Sequence, residues 1–321
     1  MQVGFKLVAE AFDPNEIVRQ TVEAEQAGFD FVEVSDHYHP WLYSHGHSGF
    51  VWSMLAAAAT RTETIGLATG VTCPFGRNHP AIIAQAAATT AILSEGRFML
   101  GLGSGEWLNE HVVGGDWPTV RVRHEMLRES IDIIRLLWSG GYHSYQGKHL
   151  TLDEARVFDL PDVPPTIAVA AGGLSAVALA AELGAGLFTS APDPQLLKAY
   201  EEAGGPGPKY AEVPLSWAHD EHTAAESARR TLRFAMKGWK VMTELKNVSD
   251  FEEATSSVRA EDVREMMTCG PDLQPHLDAA GRYYDAGFDH LVLVNGGPDV
   301  DGFFEFFSSE LRGPLHALAR T

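Results

Sequence analysis

The residues best suited to moving a proton lie in one short run. Ser35-Asp36-His37-Tyr38-His39-Pro40-Trp41 places a carboxylate, two imidazoles and an indole directly after the apolar FVEV. An imidazole has the one unperturbed pKa suited to proton exchange near neutrality, and a neighbouring carboxylate can fix its tautomer. The same residues would also make a solvated loop with scattered histidines. A second run, Gly101-Leu102-Gly103-Ser104-Gly105-Glu106-Trp107-Leu108-Asn109-Glu110, follows the apolar RFML. Its glycines let a ligand approach the backbone, and Glu106 supplies a carboxylate that can donate or accept a proton; a tight turn would use the same glycines. The spacing G-x-G-x-G lacks the third glycine of a dinucleotide fingerprint. Gly172-Gly173 stands between TIAVAA and the helical pattern Leu174 to Leu183. Free N–H groups and the positive end of a helix dipole there suit a phosphate, and a plain strand-to-helix turn is the other reading. Glu10, closing the first apolar run, adds one more acid.

Competing chemistries are missing. The chain has no G-x-S-x-G, no Walker A loop, no H-E-x-x-H and no C-x-x-C. His37, His39, His45 and His47 cluster among the 14 histidines, but their spacing and the lack of a buried carboxylate partner speak against a metal. No metal is expected.

These residues need elements to hold them in place. Short apolar runs alternate with longer helical patterns, which predicts a parallel sheet. Candidate strands fall near residues 2–9, 30–35, 64–70, 97–103, 166–170, 186–190, 211–217 and 289–294. Eight is the barrel number, with a doubly wound open sheet as the other arrangement. Asp13, Pro14 and Glu16 make a helix start, and Gly28 its end. Ala27-Gly28-Phe29-Asp30 before FVEVS is echoed by Ala286-Gly287-Phe288-Asp289 before HLVLV, so βα units recur from one end of the chain to the other. We expect one α/β domain over residues 1–321, a (β/α)8 TIM barrel with insertions near 141–165 and 238–268. The first insertion reads as a hairpin and the second as polar helices. Loops on the C-terminal face carry a barrel's site, so both are candidate lids.

Composition narrows the partners. With 45% hydrophobic residues the chain can bury a large core, and 24 Lys plus Arg against 43 Asp plus Glu give a net charge of −19. That charge repels nucleic acid phosphates and anionic membrane surfaces. No run approaches 18 uninterrupted apolar residues, no signal segment opens the chain, and Cys73 and Cys269 are too few for a disulfide framework. A cytoplasmic protein with a small-molecule substrate is expected, with neither nucleic acid nor membrane as partner.

The runs VSDHYHPW, ATGVTCPFGRNHPAIIAQAAAT, GRFMLGLGSGEWLNEH and AGFDHLVLVNGG resemble the bacterial luciferase-like superfamily, in particular its F420-dependent oxidoreductase branch, which holds glucose-6-phosphate and secondary alcohol dehydrogenases. The resemblance spans essentially the whole chain. It implies a (β/α)8 barrel, a homodimer and a deazaflavin, coenzyme F420, at the C-terminal mouth. His37 then stands where the family has its base, which takes a proton from a substrate hydroxyl as hydride leaves the same carbon. Asp36 corresponds to an acid that contacts the cofactor, Trp41 to an aromatic wall of the substrate pocket, and Glu10 to a carboxylate in that pocket. Glu106 corresponds to the acid serving N1 of the ring. Gly70, Val71, Cys73, Glu106, Asn109, Gly172 and Gly173 fall where the family contacts the ring and phosphate, with the family's non-proline cis peptide at Gly70-Val71.

Departures bear on the substrate. Where sugar-phosphate enzymes of this family carry phosphate-binding cations, the chain reads TSAPDP (189–194) and, by alignment, Glu253 and Met266. A dianionic sugar phosphate would be poorly neutralised there. Cys73 replaces a frequent threonine, and Lys6 and Arg77 are candidate counter-charges. The leading expectation is an F420-dependent oxidoreductase of a neutral alcohol or sugar-like compound, or in reverse of a carbonyl. The alternatives are an FMN-dependent luciferase-like monooxygenase, a glucose-6-phosphate dehydrogenase despite the missing cations, and a flavin-binding barrel without turnover.

Overall fold

Residues 1–318 are described by a computed structural model. Its strands are β1 (Gln2–Leu7), β2 (Phe31–Val34), β3 (Gly66–Thr69), β4 (Phe98–Leu102), β5 (His143–Gln146), β6 (Thr151–Ala155), β7 (Thr166–Ala170), β8 (Gly186–Thr189), β9 (Lys209–Ser216), β10 (Thr268–Cys269) and β11 (His290–Asn295). Strands β1, β2, β3, β4, β7, β8, β9 and β11 pair in parallel in that order, and β11 returns to β1. The sheet therefore closes into the eight-stranded (β/α)8 barrel predicted by the eight apolar runs.

Local chemistry sets the βα units. Asp13 caps the helix Pro14–Ala27 by accepting the N–H groups of Asn15 and Glu16, at 2.8 and 3.2 Å. Gly28 ends that helix at φ 89°, and Gly287 ends Leu273–Ala286 at φ 108°. A side chain at that φ is strained, so glycine lets the chain leave the helix and enter the next strand at once.

Strand residues alternate between two environments. Outward-facing Val3, Phe5, Val32 and Val34 join the large core under the helices. Inward-facing Phe31, Ala68, Met99, Phe188, Tyr210 and Val292 pack together in the barrel. Two residues further along β1, β2 and β9 stand Lys6, Glu33 and Glu212, so the apolar interior gives way to charge as the chain approaches the strand ends.

The two insertions behave differently. The β5–β6 hairpin lies on the barrel's flank: Glu129 of the helix Val120–Trp138 accepts the N–H groups of Lys148, His149 and Leu150, and the His79 ring meets the Thr151 carbonyl. Its bonds reach outer helices, so this segment is not a lid. The second insertion forms the helices Trp239–Met242, Val248–Thr255 and Ala260–Met266 and then β10, which pairs with Leu215 and Ser216 of β9. Among the described residues no helix is long and apolar enough to cross a membrane, and no group of His, Cys, Asp and Glu could hold a metal ion.

Candidate active site

Three loops leaving the C-terminal ends of β1, β2 and β4 bring Glu10, His37 and Glu106 together. His37 Nδ1 lies 2.9 Å from Glu10 Oε1, and Nε2 lies 3.4 Å from Glu106 Oε2. The Glu10 contact is an ion-pair approach rather than an aligned hydrogen bond, since neither atom has a well-directed partner. Asn109 braces the other side. Its amide donates to Glu106 Oε2 at 2.9 Å, while its carbonyl oxygen accepts the N–H groups of Tyr38 and His39. The backbone closes the arrangement, with His47 N–H donating to Glu10 O and the Ser48 hydroxyl to His37 O.

Burial alone would lower the His37 pKa, but the charge of Glu10 and the added pull of Glu106 overcome it and raise the imidazole from 6.5 to about 10. Burial would likewise raise Glu10, yet the cationic ring brings it down from 4.5 to about 2. Each group holds the other's charge, so the pair titrates together. The ligand-free protein thus carries an imidazolium between carboxylates at neutral pH. The sequence neighbour Asp36 is not the acid that orients His37. Glu10, 27 residues earlier, takes that place, because alternation along an extended chain sends adjacent side chains to opposite sides.

Asp36 is buried and engaged elsewhere: Oδ2 accepts from the Thr72 hydroxyl at 3.0 Å, and Oδ1 from the Arg77 guanidinium at 2.9 Å. It locks the loop after β2 to the loop after β3. Arg77 N–H also donates to Glu110, whose carboxyl burial pushes up to about 7. Cys73 is buried, donates to Phe75 O, and has its thiol pushed well above the ordinary value by burial, which makes it a packing residue. The Gly70-Val71 peptide is cis. Gly172 and Gly173 stand apart from the His37 group. Gly173 precedes the helix Leu174–Glu182 with no side chain capping it, and nothing lies within 4 Å of where its Cβ would be. His39 bonds to Leu108 O and stacks on His111, which holds it away from the site. His45 is buried with its ring meeting Thr231 O and lies near enough to Glu10 and His37 to feel their charges, while burial lowers its pKa.

The luciferase-like monooxygenase model matches residues 1–290 of the chain. The chain belongs to that family. Curated relatives of this luciferase-like chain include F420-dependent glucose-6-phosphate dehydrogenases from Tsukamurella paurometabola, 33% identical over 333 residues with 99% of each chain covered, and from Rhodococcus erythropolis, 33% identical with 99% of this chain and 98% of that one covered. An F420-dependent secondary alcohol dehydrogenase solved with an F420–acetone adduct superposes with a TM-score of 0.91 at 28% identity, covering 98% of both chains. An F420-dependent tetrahydromethanopterin reductase from Methanopyrus kandleri shares the fold at a TM-score of 0.76 and 22% identity, over 97% of this chain and 98% of that one.

Against this luciferase-like frame, the roof of the site carries residues that sequence reasoning missed. The Trp41 ring meets His37 edge-on at 4.5 Å and stacks on Phe234 at 4.7 Å, with Phe251 at its edge. Trp239 faces Trp41 at 6.3 Å, donates from Nε1 to the Ser190 hydroxyl, and has its Cβ 3.8 Å from where a Cβ on Gly172 would be. It bridges the ends of β2, β7 and β8. The signal available was a tryptophan between Gly238 and Lys240 in a polar insertion. Glu253 is exposed, and Met266 lines an outer groove with Glu221 and Arg264. Lys237 and Lys240 are exposed cations flanking Trp239, and they too escaped the sequence reading.

Proposed function

We propose that the chain is a coenzyme F420-dependent oxidoreductase acting on the CH–OH of a neutral alcohol or sugar-like compound, or on the matching carbonyl, with His37 exchanging the substrate proton. The observation that carries this reading is His37 clamped between Glu10 and Glu106 at the barrel mouth. The residues present suit the cofactor. The uncapped helix start at Gly173 offers N–H groups and open space to an anion, and the mouth glycines let a flat ring approach the backbone. Gly70, Val71, Cys73, Glu106, Asn109, Gly172 and Gly173 would hold it, with Asp36 acting through Thr72 and Arg77. When bound, a deazaflavin supplies an obligate two-electron hydride acceptor or donor.

The chain's own residues do the rest. His37 holds or takes one proton at Nε2, Glu10 fixes its orientation and charge, and Asn109 aims Glu106. Trp41, Phe234, Phe251 and Trp239 wall the pocket and exclude water, which favours a neutral, apolar-faced substrate. His37 is protonated when ligand-free, so it is set as a proton donor to a carbonyl; alcohol oxidation requires it to be deprotonated first. The curated relatives favour a second reading, glucose-6-phosphate as substrate, with the exposed Lys237 and Lys240 beside Trp239 as its candidate cations. Two free thiols accord with a reducing cytoplasm. The exposed Ile82, Ile92 and Leu93 of the helix Pro80–Leu93 accord with a homodimer.

Titration of the protein with F420, FMN and NADP, followed by bleaching of bound deazaflavin absorbance with alcohols or glucose-6-phosphate, tests this. F420 binding and bleaching by a neutral alcohol are expected. Binding of FMN alone would overturn the cofactor, and bleaching by glucose-6-phosphate would overturn the substrate class. Replacing His37 with Ala should abolish alcohol oxidation and leave F420 affinity within about threefold; unchanged turnover would remove His37 from the chemistry.

A further inference from the structure

Below the mouth, inside the barrel, lies a charge cluster that the proposed chemistry does not use. Lys6 on β1 is 7% exposed, and its ammonium makes three short contacts: 2.5 Å to Glu33 Oε1 on β2, 2.9 Å to Glu212 Oε1 on β9, and 2.7 Å to the carbonyl oxygen of Gly70. The Glu33 and Gly70 contacts are hydrogen bonds donated by the ammonium, and the Glu212 contact is an ion pair. Glu33 is fully buried, and its Oε2 has no partner. Burial and the neighbouring Glu212 push the Glu33 carboxyl up to about 8, so near neutrality it holds a proton beside the ammonium. An apolar side chain would fill this space without the cost of taking these polar groups out of water. The arrangement therefore needs a reason other than packing.

The third contact supplies it. Lys6 and Glu33 are register partners on adjacent strands, so β-pairing alone would place the ion pair. Gly70 belongs to neither strand; it follows β3, and its N–H is held by Val34 O at 2.9 Å. A Cβ on Gly70 would fall 2.0 Å from the Glu33 carboxyl, so glycine is required for the backbone to settle onto the pair. Val71 then lies against Gly101 and Gly103, where added Cβ atoms would approach its methyls to 3.1 and 2.6 Å. The Gly70-Val71 peptide is thereby held at its carbonyl by Lys6 and at the Val71 side chain by the end of the neighbouring strand β4.

We propose that Lys6 is a positioning residue, which holds the Gly70 carbonyl inward so that the Gly70-Val71 peptide forms a fixed floor for the deazaflavin. This rests on the proposed function for the identity of the ligand, but not for the floor itself. Burial would lower the Lys6 pKa, but Glu212 and Glu33 raise it above the ordinary value, so the ammonium persists at any working pH. Glu33 and Glu212 orient the ammonium and do not touch substrate.

The test uses Lys6→Met and the triple variant K6M/E33Q/E212Q, which removes all three ionisable groups and leaves no unpaired carboxyl if the single change fails to fold. The first readout is hydrogen exchange of the ligand-free protein over residues 66–75, and the second is the F420 dissociation constant by fluorescence titration. Loss of a hydrogen bond from a charged donor predicts exchange roughly tenfold faster over that segment and an F420 dissociation constant raised about tenfold to a hundredfold. The melting temperature of the triple variant and the alkaline limb of its pH profile, which reports His37, should stay near wild type. Unchanged exchange in either folded variant would overturn the proposal and leave Lys6 as barrel filling. Faster exchange with unchanged F420 affinity would overturn its role toward the cofactor. Should wild-type protein fail to bind F420, the proposed function fails, and the exchange data still decide whether Lys6 holds the floor.

Discussion

His37 sets the pH behaviour of the site. Its pKa is raised from 6.5 to about 10, so its pairing stabilises the fold fully below 6.5 and is lost as pH rises through about 10. Glu10 is lowered from 4.5 to about 2, so its contribution is present above 4.5 and lost as pH falls toward 2. Between those limits the pair is intact. For catalysis the same numbers predict opposite profiles: kcat/KM for carbonyl reduction is flat at neutral pH and falls above about 10, whereas alcohol oxidation climbs toward that value. Rate measurements in both directions across pH 6 to about 11 check this, and a shared limb near 7 would remove the carboxylate clamp from the account. Replacing Glu10 with Gln deletes the main charge that raises His37. The alkaline limb should then move toward the ordinary histidine value, and one that stays in place would show that Glu10 acts only through packing.

At the scale of elements, periodicity made the eight barrel strands legible, and chain punctuation marked Asp13, Gly28 and Gly287 as caps. Asp13→Ala should cost about 1 kcal/mol in urea unfolding without altering cofactor affinity; no loss would mean that Asn15 and Glu16 find other acceptors. Contacts between distant segments were not legible. The Glu10–His37 pair, the Lys6–Gly70 bond and the clasp of Asp36 by Thr72 and Arg77 join residues 27 to 64 positions apart, which no local period records. Hairpin patterning gave β5 and β6, but the flank they pack on depends on Glu129, a surface-looking acid in a helix. Trp239 was missed because an isolated tryptophan in a polar segment carries no periodic signal. Its replacement by Ala should raise KM for a neutral alcohol roughly tenfold with a smaller change in kcat, as steady-state kinetics will show; an unchanged KM would take Trp239 out of the pocket wall.

Taken whole, the molecule is strongly acidic yet proposed to bind an anionic coenzyme. Residues 229–246 hold Arg229, Arg230, Arg233, Lys237, Lys240 and Lys246 against Glu244 alone, a local reversal of the net charge of −19. Arg233 is tied to Glu252 and Lys246 lies over Trp107, whereas Lys237 and Lys240 are exposed. Exposed charges act across about one Debye length, so the K237A/K240A variant should weaken F420 binding at low salt and converge on wild type near 0.5 M salt. A salt-independent difference would point to direct contact instead. Glu10, His37 and Glu106 hang from β1, β2 and β4, while Phe234, Trp239 and Phe251 come from the segment between β9 and β10, where β10 lies on the edge of β9. The acid–imidazole–acid group and its aromatic roof thus rest on separate stretches of chain, so the one can be rebuilt, as by a graft, without the other being moved.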